Sequence, residues 1–197
     1  MTRSLKMESQ PKEAIVKSLV RAILKSPYDL EWSLQGLGML RTYLDDERRL
    51  HIWDDRYQVH NVSQMHTHPW NFRSVVIAGE VTNYKFIEDK IDGVPYKRQS
   101  IFCGVGGGLE GFADVVYLSQ IHPEVRRERE SYEELAHEIH ISKPLRGTVT
   151  VIRREYLEDS DHAYVFWKDG DWVSAEPRSA TKDEIKDITQ NSLLTWF

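Results

Sequence analysis

The chain has a single cysteine, Cys103, among its 197 residues. One cysteine excludes an internal disulfide framework and leaves no Cys-x-x-Cys pair for a structural zinc site. No window approaches the roughly 18 to 20 apolar residues of a membrane span, and the first residues carry no apolar stretch typical of a secretory signal. We therefore expect a protein of the reducing cytoplasm, neither exported nor embedded in a membrane.

Charge of one sign is not concentrated in any long block. The chain has 31 acidic and 26 basic residues and a net charge of -5, and its densest basic cluster, at 126–129, is interleaved with Glu124, Glu128 and Glu130. Binding to nucleic acid requires a basic surface that neutralises several phosphates, which this pattern does not provide. We expect neither nucleic acid nor a membrane as a partner.

Composition and length fit one folded domain. Hydrophobic residues make up 40% of the chain and charged residues 29%, as in a globular protein with a packed core. Near the start, Ile15, Leu19 and Ile23 recur at every fourth position and predict an amphipathic helix over 11–25. Near the end, Thr181 with a glutamate three residues later has the pattern of a capping box and predicts a second helix.

Strand patterns dominate between the two predicted helices. Residues 49–59 alternate after a polar turn at 45–47, which predicts that 34–44 and 49–59 form an antiparallel pair. Short strands separated by turns are typical of a barrel or sandwich. The glycine-rich stretch 104–111 lacks the spacing of a phosphate-binding loop, and we interpret it as a mobile loop or lid. The other predicted strands cover 74–77, 80–87, 114–118, 137–141, 148–153 and 163–168.

The segment QMHTHPWNF, at 64–72, holds the residues best suited to chemistry. In an extended strand, residues two apart project from the same face, so His66 and His68 can direct two imidazoles at one ion. Neutral imidazole is a common ligand of divalent transition metals. The pair therefore predicts half of a metal site.

This segment resembles the first motif of the cupins, which runs His-x-His, three or four residues, Glu, six residues, Gly. His68 is followed by three residues, Phe72, six residues and Gly79, so phenylalanine stands at the glutamate position. Together with the later segment HEIHISKPLRGTVTVIRR, the chain resembles uncharacterised cupins that carry a His-x-His-Pro-Trp segment. It also looks, more distantly, like the three-histidine iron dioxygenases of the cysteine dioxygenase type. The resemblance covers roughly 48–175.

The resemblance implies an all-β fold, a cupin jelly-roll barrel also called a double-stranded β-helix. On this basis we expect an N-terminal helical extension over 1–47, the barrel over 48–175 and a C-terminal helical segment over 176–197. Exposed barrel edges favour pairing between subunits, so we expect a homodimer.

The resemblance also implies a third histidine ligand from a later strand. His137 shares the apolar face of that predicted strand with Ile139 and Ile141, and we expect it to complete the site with His66 and His68. His140, on the opposite face, is the alternative ligand.

Further residues are candidates for the substrate pocket and for catalysis. His60 lies on a strand approaching the motif, and Arg73 carries a planar guanidinium that can bind a substrate carboxylate, so both are candidate catalytic residues. A surface role is the competing interpretation for both. The expected pocket residues are Trp70, Phe72, Tyr84 and His140, although aromatic residues on strands are often part of the core.

The three-histidine set implied by the resemblance predicts a divalent metal cofactor, with iron(II) expected first and zinc, nickel or manganese as alternatives. We expect a mononuclear non-heme iron(II) oxygenase, a cupin-type dioxygenase, that acts on a small organic molecule. One fold hosts many functions. The alternatives are therefore a metal-dependent isomerase or hydrolase on the same fold and a non-enzymatic cupin that binds a small molecule or metal.

Overall fold

The computed structural model describes residues 9–103, 108–156, 161–168 and 170–197. Residues 104–107 of the predicted glycine-rich loop lie outside the described residues. Within them, helix α1 spans Ser9–Lys25 and helix α2 spans Lys182–Trp196. The strands in chain order are β1 (Ser33–Gln35), β2 (Leu37–Tyr43), β3 (Arg48–Gln58), β4 (Met65–His66), β5 (Trp70–Ala78), β6 (Glu80–Glu88), β7 (Val94–Phe102), β8 (Gly108–Gln120), β9 (Glu124–Arg127), β10 (Ser131–Glu134), β11 (Ile139–Pro144), β12 (Val149–Tyr156), β13 (His162–Trp167) and β14 (Arg178–Ser179).

The strands form two antiparallel sheets. The first sheet has the order β10-β5-β12-β3-β2-β1-β14, and the second has the order β11-β4-β13-β7-β8-β6-β9. Strand β11 also pairs with β6, so six strands of the second sheet form a cycle of neighbours with β9 outside it. The mostly β class predicted from the sequence is confirmed.

The largest apolar core lies between the first sheet and the two helices. Leu50 and Ile52 of β3 are fully buried in this core, whereas His51 and Trp53 point into a cavity on the other side. The two sets separate because successive side chains of a strand project to opposite faces. Other members of the core are Val20, Leu24, Leu34, Leu40, Val149, Ile185 and Ile188.

Both predicted helices are confirmed, although the buried face of α1 differs from the predicted one. Val20 and Leu24 are 1% exposed, while Ile15 and Leu19 are 66% and 57% exposed. At the start of α2, the Thr181 side chain accepts a hydrogen bond from the amide of Glu184, whose carboxylate accepts one from the Thr181 amide. The predicted capping box is therefore confirmed.

The segments that flank the predicted barrel also contribute strands to the first sheet. Strands β1 and β2 lie within the predicted helical extension, and β14 pairs with β1 through Arg178 and Leu34. The predicted pairing of 34–44 with 49–59 is confirmed, since β2 and β3 are antiparallel with Arg41 opposite His51.

Each predicted strand overlaps an observed one, and the strands that were not predicted are short or polar. Strand β7, which has the sequence VPYKRQSIF, has no fully buried residue and lacks an apolar alternation. Strands β4, β9, β10 and β14 have four residues or fewer. Strand β11 begins at Ile139, two residues later than predicted, because His137 has a φ of 67°.

Gly79 occupies a position that only glycine fits. It joins β5 directly to β6 with a φ of 86°, a conformation that side chains with a Cβ rarely adopt. A Cβ at this position would also collide with the hydroxyl of Thr148, which donates to the carbonyl oxygen of Glu80 at 3.1 Å. The glycine of the sequence motif therefore has a structural role in the turn between the two strands.

Among the described residues, no helix has the length and apolar character needed to cross a membrane.

Replacing Ile188 by Ala is expected to lower the free energy of unfolding by about 2–5 kcal/mol, because it removes a fully buried side chain between α2 and the first sheet. Leu194→Ala, on the same helix, removes a side chain that is 89% exposed and is expected to change stability by no more than about 0.5 kcal/mol. Urea unfolding followed by circular dichroism measures both. Equal losses would contradict the assigned buried face of α2.

Candidate metal centre

One cavity of about 1060 Å³ is lined by residues of both sheets. Strands β2, β3, β5 and β12 form its wall on the first sheet, and β4, β11 and β13 contribute from the second. Small-molecule sites usually enclose about 300–1,000 Å³. The space is therefore sufficient for an organic ligand.

Three histidines meet on the wall of this cavity. His66 of β4 pairs directly with His140 of β11, and His68 follows two residues after His66. The ring centroids are 4.8 Å apart for His66 and His68, 4.8 Å for His66 and His140, and 5.1 Å for His68 and His140. One ring nitrogen from each lies within 4.8 Å of the other two. The fold thus brings imidazoles from two distant segments of the chain, 66–68 and β11, into one cluster.

Backbone carbonyl groups orient two of the three rings. The Nδ1 atom of His66 lies 2.9 Å from the carbonyl oxygen of Gln64, and the Nδ1 atom of His140 lies 3.1 Å from that of Glu138. A carbonyl oxygen can only accept, so Nδ1 carries the hydrogen and Nε2 keeps its lone pair. Metal-binding histidines usually make such a bond with their second nitrogen.

Aromatic packing holds the third ring. His68 stacks on Trp70 with the centroids 4.2 Å apart and an angle of 20° between the planes. Phe72 meets His68 edge-on at 5.2 Å. Phe72 therefore places an apolar ring, without a donor atom, beside His68. The cluster found among the described residues consists of three imidazoles without a carboxylate.

Burial favours the neutral form of all three imidazoles. Loss of hydration lowers the pKa of His66, of His68 and of His140, in the last case to about 3. Repulsion from neighbouring imidazoles also lowers the pKa of His68 and that of His140. At neutral pH the three rings are uncharged, which is the form that binds a metal ion.

His137 does not join the cluster, which corrects the expected third ligand. Its side chain is exposed in the turn before β11, and its amide donates to the carbonyl oxygen of His68 at 3.1 Å. The apolar face of β11, with Ile139 and Ile141, packs in a second core away from the cavity. The polar face carries His140, so the alternative candidate joins His66 and His68 in the cluster. The alternation of residues separates the two faces of β11 correctly. The error was the expectation that the apolar face, rather than the polar face, would line the site.

His60, Arg73 and Tyr84 also lie away from the cavity lining, which corrects their expected roles. His60 is exposed in the turn after β3, and Arg73 is exposed on β5, where it donates to the hydroxyl of Ser131 at 3.4 Å. Tyr84 packs against the second core, to which all six strands of the cycle contribute. Of the expected pocket residues, Trp70, Phe72 and His140 line the cavity.

Sequence reasoning missed a polar part of the cavity wall. Arg41, Arg49 and His51 line the cavity from β2 and β3, and His51 is only 6% exposed. The alternation of residues 49–59 was visible in the sequence. The polar residues of this pattern were not predicted to line a cavity, because charged residues on a strand usually face solvent.

No protein-family model matches the chain, and no curated protein shows a significant match to it. The function is therefore inferred from the site itself.

Acidification is expected to destabilise the fold in chelator-treated protein. Burial lowers the pKa of His140 from its usual 6.5 to about 3, so below about pH 6.5 the ring is neutral in the folded chain and takes up a proton on unfolding. The contribution of the neutral His140 ring to the free energy of unfolding is complete above about pH 6.5. It decreases by about 1.4 kcal/mol per pH unit as the pH falls towards 3. His140→Gln removes this group. Unfolding of the variant should therefore take up about one proton fewer in this range, which makes the pH dependence of the free energy of unfolding less steep. Urea unfolding at several pH values measures the slope, and an unchanged slope would contradict a buried neutral imidazole at this position.

Proposed function

We propose that this chain is a metal-dependent cupin in which His66, His68 and His140 hold one divalent ion. The observation that carries the proposal is the convergence of three imidazole nitrogens within 4.8 Å of one another. Two antiparallel sheets around a cavity, with Gly79 at the turn between β5 and β6, support a jelly-roll barrel of the cupin type.

The donor set fits a transition metal of intermediate softness. Neutral imidazole nitrogens suit iron(II), zinc and nickel, whereas manganese prefers more oxygen ligands. A structural zinc site is usually closed by four protein ligands, whereas three ligands leave a position for water or substrate. Phe72 favours the open arrangement, because its side chain offers no donor atom beside His68.

We further propose that the site is catalytic and acts as an iron(II) oxygenase on a small organic molecule. Iron(II), when bound, would supply the activation of dioxygen. The protein would orient two ligands through the carbonyl oxygens of Gln64 and Glu138 and the third through stacking on Trp70. Trp70 and Phe72 would also shield one side of the site from water. A cytoplasmic homodimer remains part of this proposal.

Removal of single histidines tests the ligand assignment. Protein purified without added metal or a nickel column is expected to contain about one ion per chain, most of it iron. His66→Ala, His68→Ala and His140→Ala should each lose the ion, since each removes one of three ligands. His137→Ala is the matched control and should retain the ion, because His137 is exposed outside the cluster. Elemental analysis of the four variants measures the content.

Metal loss in His137→Ala with retention in His140→Ala would overturn this ligand set. Dioxygen uptake by the iron-loaded wild type over a panel of thiols, diketones and small organic acids tests the oxygenase assignment. Uptake should disappear in His140→Ala and persist in His137→Ala. A wild type that binds iron but consumes no dioxygen with any of these compounds would contradict the oxygenase proposal while leaving the metal site in place.

A further inference from the structure

Residues 135–138 form the turn between β10 and β11, and this turn contacts both segments that carry the proposed metal ligands. The amide of His137 donates to the carbonyl oxygen of His68 at 3.1 Å. The carbonyl oxygen of Glu138 lies 3.1 Å from the Nδ1 atom of His140 and accepts its hydrogen. A change in the conformation of the turn would therefore alter the positions of two of the three histidines.

The backbone of this turn needs support from side chains. His137 has a φ of 67°, in the left-handed region that few residues other than glycine occupy. Two side chains accept hydrogen bonds from the turn. The amide of Leu135 donates to Oε2 of Glu138, and the amide of Ala136 donates to Oδ1 of Asn71, each at 2.7 Å. The position of the Glu138 carboxylate is therefore part of what holds the turn in its conformation.

Lys85 joins carboxyl groups at the two ends of the turn. It lies on β6 directly opposite His140 of β11, so the two side chains project from the same face of the sheet. Its Nζ atom lies 3.1 Å from Oε2 of Glu134 and 3.3 Å from Oε2 of Glu138. The side chains of Lys85 and Glu134 are only 17% and 1% exposed. Water therefore screens this ion pair less than it screens a pair at the surface.

The ammonium group of Lys85 keeps the two carboxyl groups beside the turn. Burial acts to lower the pKa of Lys85, but Glu134 and Glu138 outweigh it and raise that pKa above its usual value, so the group stays charged. Burial raises the pKa of Glu134 to about 7, and Lys85 opposes this rise. The two carboxyl groups also lie within hydrogen-bonding reach of each other. Without the ammonium group, two acidic side chains would meet with no cation between them.

We propose that Lys85 is a positioning residue that acts through Glu134 and Glu138 to fix the turn at 135–138, and with it the ring of His140. Groups that hold metal-binding histidines in one orientation contribute about tenfold to a hundredfold to metal affinity. The part of this inference that concerns metal affinity rests on the proposed function. The orientation of the His140 ring does not, because it is measured in the metal-free protein.

A single and a double variant separate positioning from stability. Lys85→Met leaves a buried carboxyl group without its cation and should lower the thermal midpoint. Lys85→Met combined with Glu134→Gln removes both charges, so the midpoint should recover towards that of the wild type. The affinity for iron(II), measured without oxygen by competition with a chromophoric chelator, should stay at least about tenfold weaker in both variants. Recovery of the affinity together with the midpoint would show a purely structural role and overturn the proposal.

A conservative variant and a matched control test the role of the charge. Lys85→Arg keeps a cation whose planar fork can bond two carboxylates, so its affinity for iron(II) should lie closer to that of the wild type than the affinity of Lys85→Met does. Lys97→Met is the control, because Lys97 is exposed on β7 of the same sheet, and it should bind iron(II) as the wild type does. Equal losses in Lys85→Met and Lys97→Met would show a general effect of charge and contradict the positioning role.

The tautomer of His140 in the metal-free protein reports on the turn directly. In nitrogen-15 NMR spectra at neutral pH, the wild-type ring should carry its hydrogen on Nδ1 alone, because Glu138 accepts it. In the double variant the ring should become a mixture of both neutral tautomers. His66 is the internal control and should keep its tautomer, since its Nδ1 atom bonds to the carbonyl oxygen of Gln64. An unchanged His140 tautomer in the folded double variant would overturn the inference.

The outcomes for the metal and for Lys85 are independent of each other. A wild type that binds no iron(II), together with a changed His140 tautomer in the double variant, would refute the proposed function and support the positioning role. Stoichiometric iron(II) binding with equal affinity in the wild type and the double variant would refute this inference and leave the metal centre standing.

Discussion

The alternation of side chains in the first sheet is the constraint on which the rest of the structure depends. Because adjacent residues of a strand face opposite ways, Leu50 and Ile52 complete an apolar core with the two helices while His51 and Arg49 face the cavity. The main apolar core of this sheet thus lies beneath the helices, outside the space between the sheets. Burial of apolar surface there stabilises the fold, which allows the cavity wall to carry charged and polar groups that would not by themselves favour folding.

The same principle positions the proposed metal centre in the second sheet. Ile139 and Ile141 anchor β11 in the smaller core, and His140 between them must then face the cavity. Pairing of β11 with β4 brings His140 beside His66. Bonds from Nδ1 to backbone carbonyl groups leave the Nε2 atoms available. Rigid strands, rather than loops, therefore carry two of the proposed ligands, which favours a fixed geometry.

Local patterns allowed much of the fold to be predicted, whereas long-range contacts decided the site. The capping box at Thr181, the hairpin of β2 and β3 and the histidine pair at 66 and 68 follow from residues close in sequence. The choice between His137 and His140 did not, because it depends on which face of β11 meets the cavity. Two further features are also tertiary effects. One is the positive φ that removes His137 from the strand, and the other is the strand pairing that buries His51 among arginines. The cupin assignment and the chemistry of the site remain proposals.

The most direct test of the central claim is X-ray absorption spectroscopy at the iron edge of protein reconstituted anaerobically with one equivalent of iron(II). The account predicts scattering from three imidazole rings at about 2.0–2.2 Å with lighter ligands, such as water, in the remaining positions. The His140→Ala variant should show at most two imidazoles. A wild-type spectrum dominated by oxygen ligands, or one unchanged by His140→Ala, would contradict a metal centre built from these three histidines.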